Sequence, residues 1–198
     1  MNNERLDQQL HFLLEIDRLK QVERQTAITG GSRRENTAEH SWHLAMYALI
    51  LQEWSNTDVD IAHVLALCLV HDIVEIDAGD TFAYDVMAHA DKEQREQAAA
   101  ERLFGLLPED QARRFRSLWD EYEAQETPES RFANAIDRLQ PAMLNQHAGE
   151  ESPWKRHGVT VHQAMKRLSP IGDGSDALWQ RTQSIISEAT RRGNLVEE

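Results

Sequence analysis

The sequence predicts an all-α fold, a single compact helical bundle, on three observations. Apolar residues recur at spacings of three and four along nearly the whole chain. No stretch shows the period-two alternation of β-branched residues expected of a half-buried strand. Turn-forming residues fall between the periodic segments.

The periodic segments are, in order, 6–19, 37–55, 59–76, 94–107, 111–123, 129–147, 159–168 and 176–191. Between them lie Gly30-Gly31-Ser32, Ala78-Gly79-Asp80, Pro108, Thr127-Pro128, 149–153 and 170–174. Pro108 and Pro128 sit near helix starts, where a missing N–H costs little. Pro141 lies inside a periodic segment and is expected to kink or shorten that helix. There is no internal repeat and no long linker, so 1–198 reads as one domain, with C-terminal helices over 159–191. The tail after Arg192 is expected to fray.

Charge narrows the function. A formal charge of −13 argues against a nucleic-acid polymer or an anionic membrane as partner, because phosphate surfaces recruit basic proteins. A small phosphorylated substrate needs only a local positive pocket. The longest apolar run, 44–51, is far short of the roughly 20 residues that a bilayer span needs. The first residues lack the apolar stretch of a signal peptide, and the lone Cys68 cannot form an internal disulfide. A cytoplasmic protein is expected. Residues 18–34 run against the global charge with a net +4, from Arg18, Lys20, Arg24, Arg33 and Arg34 against Glu23. That segment reads as a solvated connector or as a local cationic surface.

Three helices carry polar residues on faces that should be buried. In 36–39, Asn36 can cap a helix while Glu39 reaches back, which places His40 in the first turn. His40 is in line with Leu44, Tyr47, Leu51 and Trp54, so it points inward as a core histidine or a ligand. The apolar segment 61–69 ends in His71-Asp72 and then Glu75, with Cys68, Asp72 and Glu75 on one face. Buried carboxylates need compensation. A cation supplies it, or a salt-bridge network fed by Arg33 or Arg34. Asp137 interrupts the stripe Ala133, Ile136, Gln140 and Leu144, where it could bind a cation or pair with Arg138. Two imidazoles and two carboxylates suit one divalent ion, Co²⁺, Mn²⁺, Zn²⁺, Fe²⁺ or Mg²⁺, with positions left open. Cys68 reads as a small buried hydrophobe. His43 reads as core or as a neighbour of the site. His63, His89, His147, His157 and His162 have no partner at metal-ligand spacing. Lys92 and Arg95 read as an exposed helix face. The five tryptophans read as core or interface anchors.

The order His40, His71-Asp72, Asp137 resembles the HD-domain metal-dependent phosphohydrolases. The words Glu39-His40-Ser41, His71-Asp72-Ile73-Val74-Glu75, Gly79-Asp80 and Ala135-Ile136-Asp137-Arg138 resemble its branch of bacterial 5′-deoxyribonucleotidases and their eukaryotic relatives. The resemblance runs from about residue 5 to residue 147, with a metal-site core over about 36–147. It implies a metal held by His40, His71, Asp72 and Asp137. Glu75 and Asp80 would be catalytic, Glu75 orienting water or taking its proton with Asp80 behind it. Arg24, helped by Arg33 and Arg34, would bind the substrate phosphate. Gln25 stands where the nucleotidase has a tryptophan, so strict deoxyribose selectivity is not implied. A homodimer is expected, since the family commonly forms dimers.

The implied activity is release of phosphate from a small monoester, a nucleoside 5′-monophosphate foremost. Two alternatives stay open on sequence: an HD hydrolase of a nucleoside triphosphate or guanosine alarmone, and a non-catalytic metal-binding helical protein.

Overall fold

The computed structural model describes residues 3–84 and 90–197; His89 lies outside them. Helix α1 spans Asn3–Ile16 and closes with a tight turn over Asp17–Gln21. Helices α2 (Thr37–Leu51) and α3 (Ile61–Val70) follow, then a 3₁₀ turn over His71–Val74 and the short α4, Glu75–Ala78. Next come α5 (Lys92–Phe104), α6 (Glu109–Ala124) and α7 (Pro128–His147). The chain ends with α8 (Pro153–Arg156), α9 (Val161–Leu168), α10 (Ile171–Gly174) and α11 (Asp176–Arg191). The all-α expectation holds, with one small addition in the basic connector. There β1 (Glu23–Ala27) pairs antiparallel with β2 (Arg34–Asn36), Glu23 opposite Asn36 and Ala27 opposite Arg34.

Local chemistry explains the boundaries. Asn36 accepts from the Glu39 N–H at 3.0 Å while the Glu39 carboxylate accepts from the Asn36 N–H at 3.2 Å, the reciprocal cap expected. Thr127 and Thr160 cap α7 and α9 in the same way, and Asp60 caps α3. The hairpin turns through Gly30 and Gly31 at φ 87° and 71°, a region that costs a side chain dearly. At Gly31 an added Cβ would also lie 3.1 Å from the Glu151 side chain.

Two segments depart from the periodic reading. The segment 59–76 does not stay α-helical, because the coil tightens at His71-Asp72-Ile73-Val74, four residues of modest helix propensity. Pro141 does not shorten its helix: α7 runs through it to His147. Its missing N–H falls opposite the carbonyl of Asp137, four residues back, so the loss is confined to one bond.

Helix α7 is the axis of the molecule, packed by α2, α3, α6, α9, α10 and α11. Phe132, Ala133, Ile136 and Leu139 of α7 are buried with Leu44, Val64, Leu67 and Ile185 in one apolar cluster. Short α10 lies so close that a Cβ on Gly174 would sit 2.4 Å from the Arg131 carbonyl oxygen. The tail is docked, contrary to expectation. Leu195 is buried, and Val196 exchanges backbone bonds of 3.0 Å with Val159 and Val161. Of the tryptophans, Trp119 and Trp154 are core, whereas Trp42 and Trp54 are exposed. Among the described residues, no helix is long and apolar enough to cross a membrane.

Candidate metal centre

Four elements converge at one site, which opens on a cavity of about 230 Å³ lined by His71, Asp72, Asp137 and Arg24. Helix α2 brings His40, the 3₁₀ turn brings His71 and Asp72, and α7 brings Asp137. The ribbon carries Arg24 across the opening. Ligand atoms of His40, His71 and Asp72 all lie within 4.8 Å of one another. Asp137 faces the two imidazoles, with its Oδ1 2.9 Å from His40 Nε2 and 3.9 Å from His71 Nε2.

The hydrogen bonds behind the imidazoles decide what their front faces offer. His71 donates from Nδ1 to the Cys68 carbonyl at 2.9 Å, which leaves Nε2 as the lone-pair nitrogen. That atom is buried and has no hydrogen-bond partner. Gln140 donates from Nε2 to the Glu35 carboxylate at 2.6 Å, so its Oε1 faces His40 and accepts from Nδ1 at 3.1 Å. His40 Nε2 therefore also presents a lone pair, directed at the Asp137 carboxylate. Two acceptors at 2.9 Å repel unless a proton or a cation stands between them. An orphaned buried nitrogen, a second nitrogen facing a carboxylate and Asp72 beside both form a donor set that fits a divalent ion.

The electrostatics agree. Burial and Arg24 push the His40 imidazole down, but the Asp137 and Glu35 carboxylates outweigh them and hold it above its ordinary value. Burial likewise opposes protonation of His71, and Asp72 and Asp137 reverse the balance. Burial would raise both aspartates. For Asp72 the His71 imidazole and Arg24 prevail, and for Asp137 chiefly His40, so each carboxyl is held below the usual range. Glu75 behaves oppositely. Burial and the neighbouring Asp72 raise its carboxyl well above the usual value, although Thr37 donates to Oε2 at 2.9 Å. Asp80 is raised for the same two reasons.

Of the predicted substrate-binding arginines, Arg24 lines the cavity. It donates to Asp72 Oδ2 at 3.0 Å and lies 3.9 Å from Asp80. Arg33 and Arg34 do not line it. Arg33 forks onto Glu39 at 2.7 and 2.8 Å, and Arg34 is exposed. The cap residue Glu39 is the stronger local attractor, because it sits on the outer side of the α2 start beside the hairpin. Lys92, read as surface, lines the cavity and pairs with Glu96 at 3.2 Å. Gln25 is also in the wall. Arg95 instead braces the neighbouring loop through the Ala78 carbonyl.

Several residues that the sequence reading missed shape the site. Glu35 is 3% exposed, and its Oε2 lies unpartnered 3.6 Å from His40 Nδ1 and 3.8 Å from Arg24 Nε. Tyr122 lies against His71, ring centroids 4.5 Å apart. His43 accepts from Gln140 at 3.2 Å, in keeping with a place beside the site. Glu35 gave one sequence signal: it stands in the residue before the Asn36 cap, where its helix start carries it inward.

Residues 16–179 match the family model described as HD domain. The 5′-deoxynucleotidase HDDC2 of Danio rerio is 31% identical over 147 residues, 74% of this chain and 72% of that protein. The Xenopus laevis protein of the same name is 32% identical over 187 residues, 92% and 91% of the two chains. A crystal structure from Magnetospirillum magnetotacticum, described as a predicted metal-dependent phosphohydrolase, is 52% identical with a TM-score of 0.92, covering 97% of this chain and 96% of that one. With His40, His71-Asp72 and Asp137 gathered on their helices in that order, the match leaves one assignment: the chain belongs to the HD-domain family.

Proposed function

We infer that this protein is a divalent-metal-dependent phosphohydrolase that releases phosphate from a nucleoside 5′-monophosphate. The observation that carries the reading is the pair of imidazole Nε2 lone pairs converging, buried, on Asp72 and Asp137. The names of the relatives support the substrate class, and no observation favours the triphosphate or alarmone alternative.

His40, His71, Asp72 and Asp137 would hold the ion. When bound, it supplies concentrated positive charge for phosphate and acidifies water. Arg24 would fork onto non-bridging phosphate oxygens through paired N–H donors. It is already oriented by Asp72 and flanked by Asp80. Glu75 would take the proton of the attacking water. Thr37 occupies Oε2, so the proton is exchanged at Oε1. The Glu75 carboxyl, raised by burial, would then return that proton to the departing sugar oxygen. Asp80 raises the proton affinity of Glu75 further. Arg33 and Arg34, outside the cavity lining, would act only on the approach of an anionic substrate.

The same reading takes the chain as one domain, because buried residues from Phe12 to Leu195 form one apolar cluster. It takes the protein as a cytoplasmic homodimer. Support for the dimer is the apolar surface left on α1 and α2, where Leu14 is 76%, Trp42 64% and Ile50 63% exposed. The decisive experiment strips metal from the purified protein and adds back Co²⁺ or Mn²⁺ with a panel of nucleotides. Metal-stimulated phosphate release is expected, and Asp72→Ala or Asp137→Ala should abolish it and weaken metal binding. Release from no nucleotide or sugar phosphate would defeat the function, and full activity in either variant would defeat the ligand assignment.

A further inference from the structure

The cavity is lined by side chains of both signs of charge, among them three arginines. Around Arg24 stand Asp72, Glu75, Asp80 and Asp137. The lining also holds Asn134, Arg138, Asn145 and Arg167. Both arginines there are only partly exposed. Arg138 has neutral partners: it donates to Asn134 Oδ1 and, from Nη1, to the Arg167 carbonyl at 2.7 Å.

We propose that Arg138 and Arg167 form a second anion subsite, and that the substrate is a nucleotide carrying a second phosphate besides the one released. The proposal rests on the phosphohydrolase reading, since it assigns other residues of the same cavity. Two neighbouring, partly buried guanidiniums are costly, and a neutral nucleoside seated over them would deepen that cost by excluding water. A phosphate group offsets both charges at once, and guanidinium forks match its oxygens. Arg138 is held in place by Asn134 and the Arg167 carbonyl, so little freedom is lost on binding. Asn145, whose Oδ1 is buried without a hydrogen-bond partner, also lines the cavity. Tying α9 to α7 uses the Arg138 side chain and the Arg167 backbone, but leaves the Arg167 side chain out. Arg167 is therefore the position that separates a subsite from a structural clasp.

The test compares thymidine 5′-monophosphate with thymidine 3′,5′-bisphosphate on the metal-loaded full chain. Calorimetry of bisphosphate binding to the chelated protein provides a readout without turnover. Wild type should favour the bisphosphate in kcat/KM by about tenfold or more, the scale of a charge-assisted contact. Arg167→Gln, with unfolding temperature unchanged, should erase that preference and weaken bisphosphate binding by about tenfold. Arg167→Lys should retain part of both. No preference in wild type, together with equal bisphosphate binding by wild type and Arg167→Gln, would overturn the subsite. If no nucleotide is hydrolysed, the phosphohydrolase reading falls by itself, and calorimetry alone still decides the subsite.

Discussion

Gln140 tests how this site is oriented. Replacing it with leucine keeps the volume nearly constant, so a cavity penalty is minor. What is lost is a fully buried junction, with a bond to Glu35 at 2.6 Å, one from His40 at 3.1 Å and one to His43 at 3.2 Å. Glu35 Oε1 and His40 Nδ1 are left without those partners, each orphan costing about 1–3 kcal/mol. Rotation of His40 toward Glu35 Oε2, 3.6 Å away, recovers part of this. A net loss of about 2 kcal/mol follows, which for a chain of this size lowers Tm by about 4–8 °C. The same rotation turns Nε2 away from Asp137. Losing an outer partner of a ligating histidine typically weakens metal binding about 10–100-fold. The assay is a competition titration of Co²⁺ against a chromophoric chelator, with thermal unfolding of the chelated protein alongside. A metal affinity within about twofold of wild type, despite the fall in Tm, would refute the argument that Gln140 aims His40.

Four further outcomes are expected. Because carboxylates hold both imidazoles above the ordinary value near 6.5, protons compete with metal from above that pH, and Co²⁺ affinity should fall steadily as pH drops from about 8 to 6. A raised pKa stabilises the metal-free fold below the ordinary value and loses that contribution as pH rises through the raised one, so chelation should cost more Tm at pH 8 than at pH 6; a pH-independent difference contradicts it. Gly174→Ala would drive a Cβ to 2.4 Å from the Arg131 carbonyl oxygen and should destabilise by about 1–3 kcal/mol, read as a lower chemical-denaturation midpoint. Ile50→Glu should shift gel-filtration elution from dimer to monomer, and a wild type that elutes as monomer at every concentration removes the dimer.

The helices were legible because each buries a stripe, and a stripe leaves a period in the sequence. The candidate ligands His40, His71, Asp72 and Asp137 stood out because each breaks such a stripe with a group that is expensive to bury. The ribbon was not legible. Glu23–Ala27 is short, mostly polar and opposed by only three residues, so no period-two signal arises within it. Its contribution, delivery of Arg24, is a tertiary fact. For the same reason Arg33 and Arg34 looked equal to Arg24 in a list of charges, though the hairpin turns them to the other side. Glu35 escaped notice because its partners, Gln140 and Arg24, lie 105 and 11 positions away and share no motif with it. Tail docking was hidden likewise, since Leu195 and Val196 pair with 159–161 by backbone bonds that no side-chain pattern encodes.

The tightened coil after Val70 has a consequence for how the enzyme can be altered. Three residues advance 300° in an α-helix but a full turn in a 3₁₀ coil, so relaxing His71–Val74 to α geometry would swing Glu75 about 60° around the axis relative to Asp72. Ile73 and Val74 face the apolar interior and meet neither water nor nucleotide. Their branched side chains nevertheless help set the pitch that aligns Glu75 with Asp72. Winding thus becomes a dial for turnover, and substitutions deep in the hydrocarbon interior can change the reaction rate while every polar group in the active cleft keeps its identity.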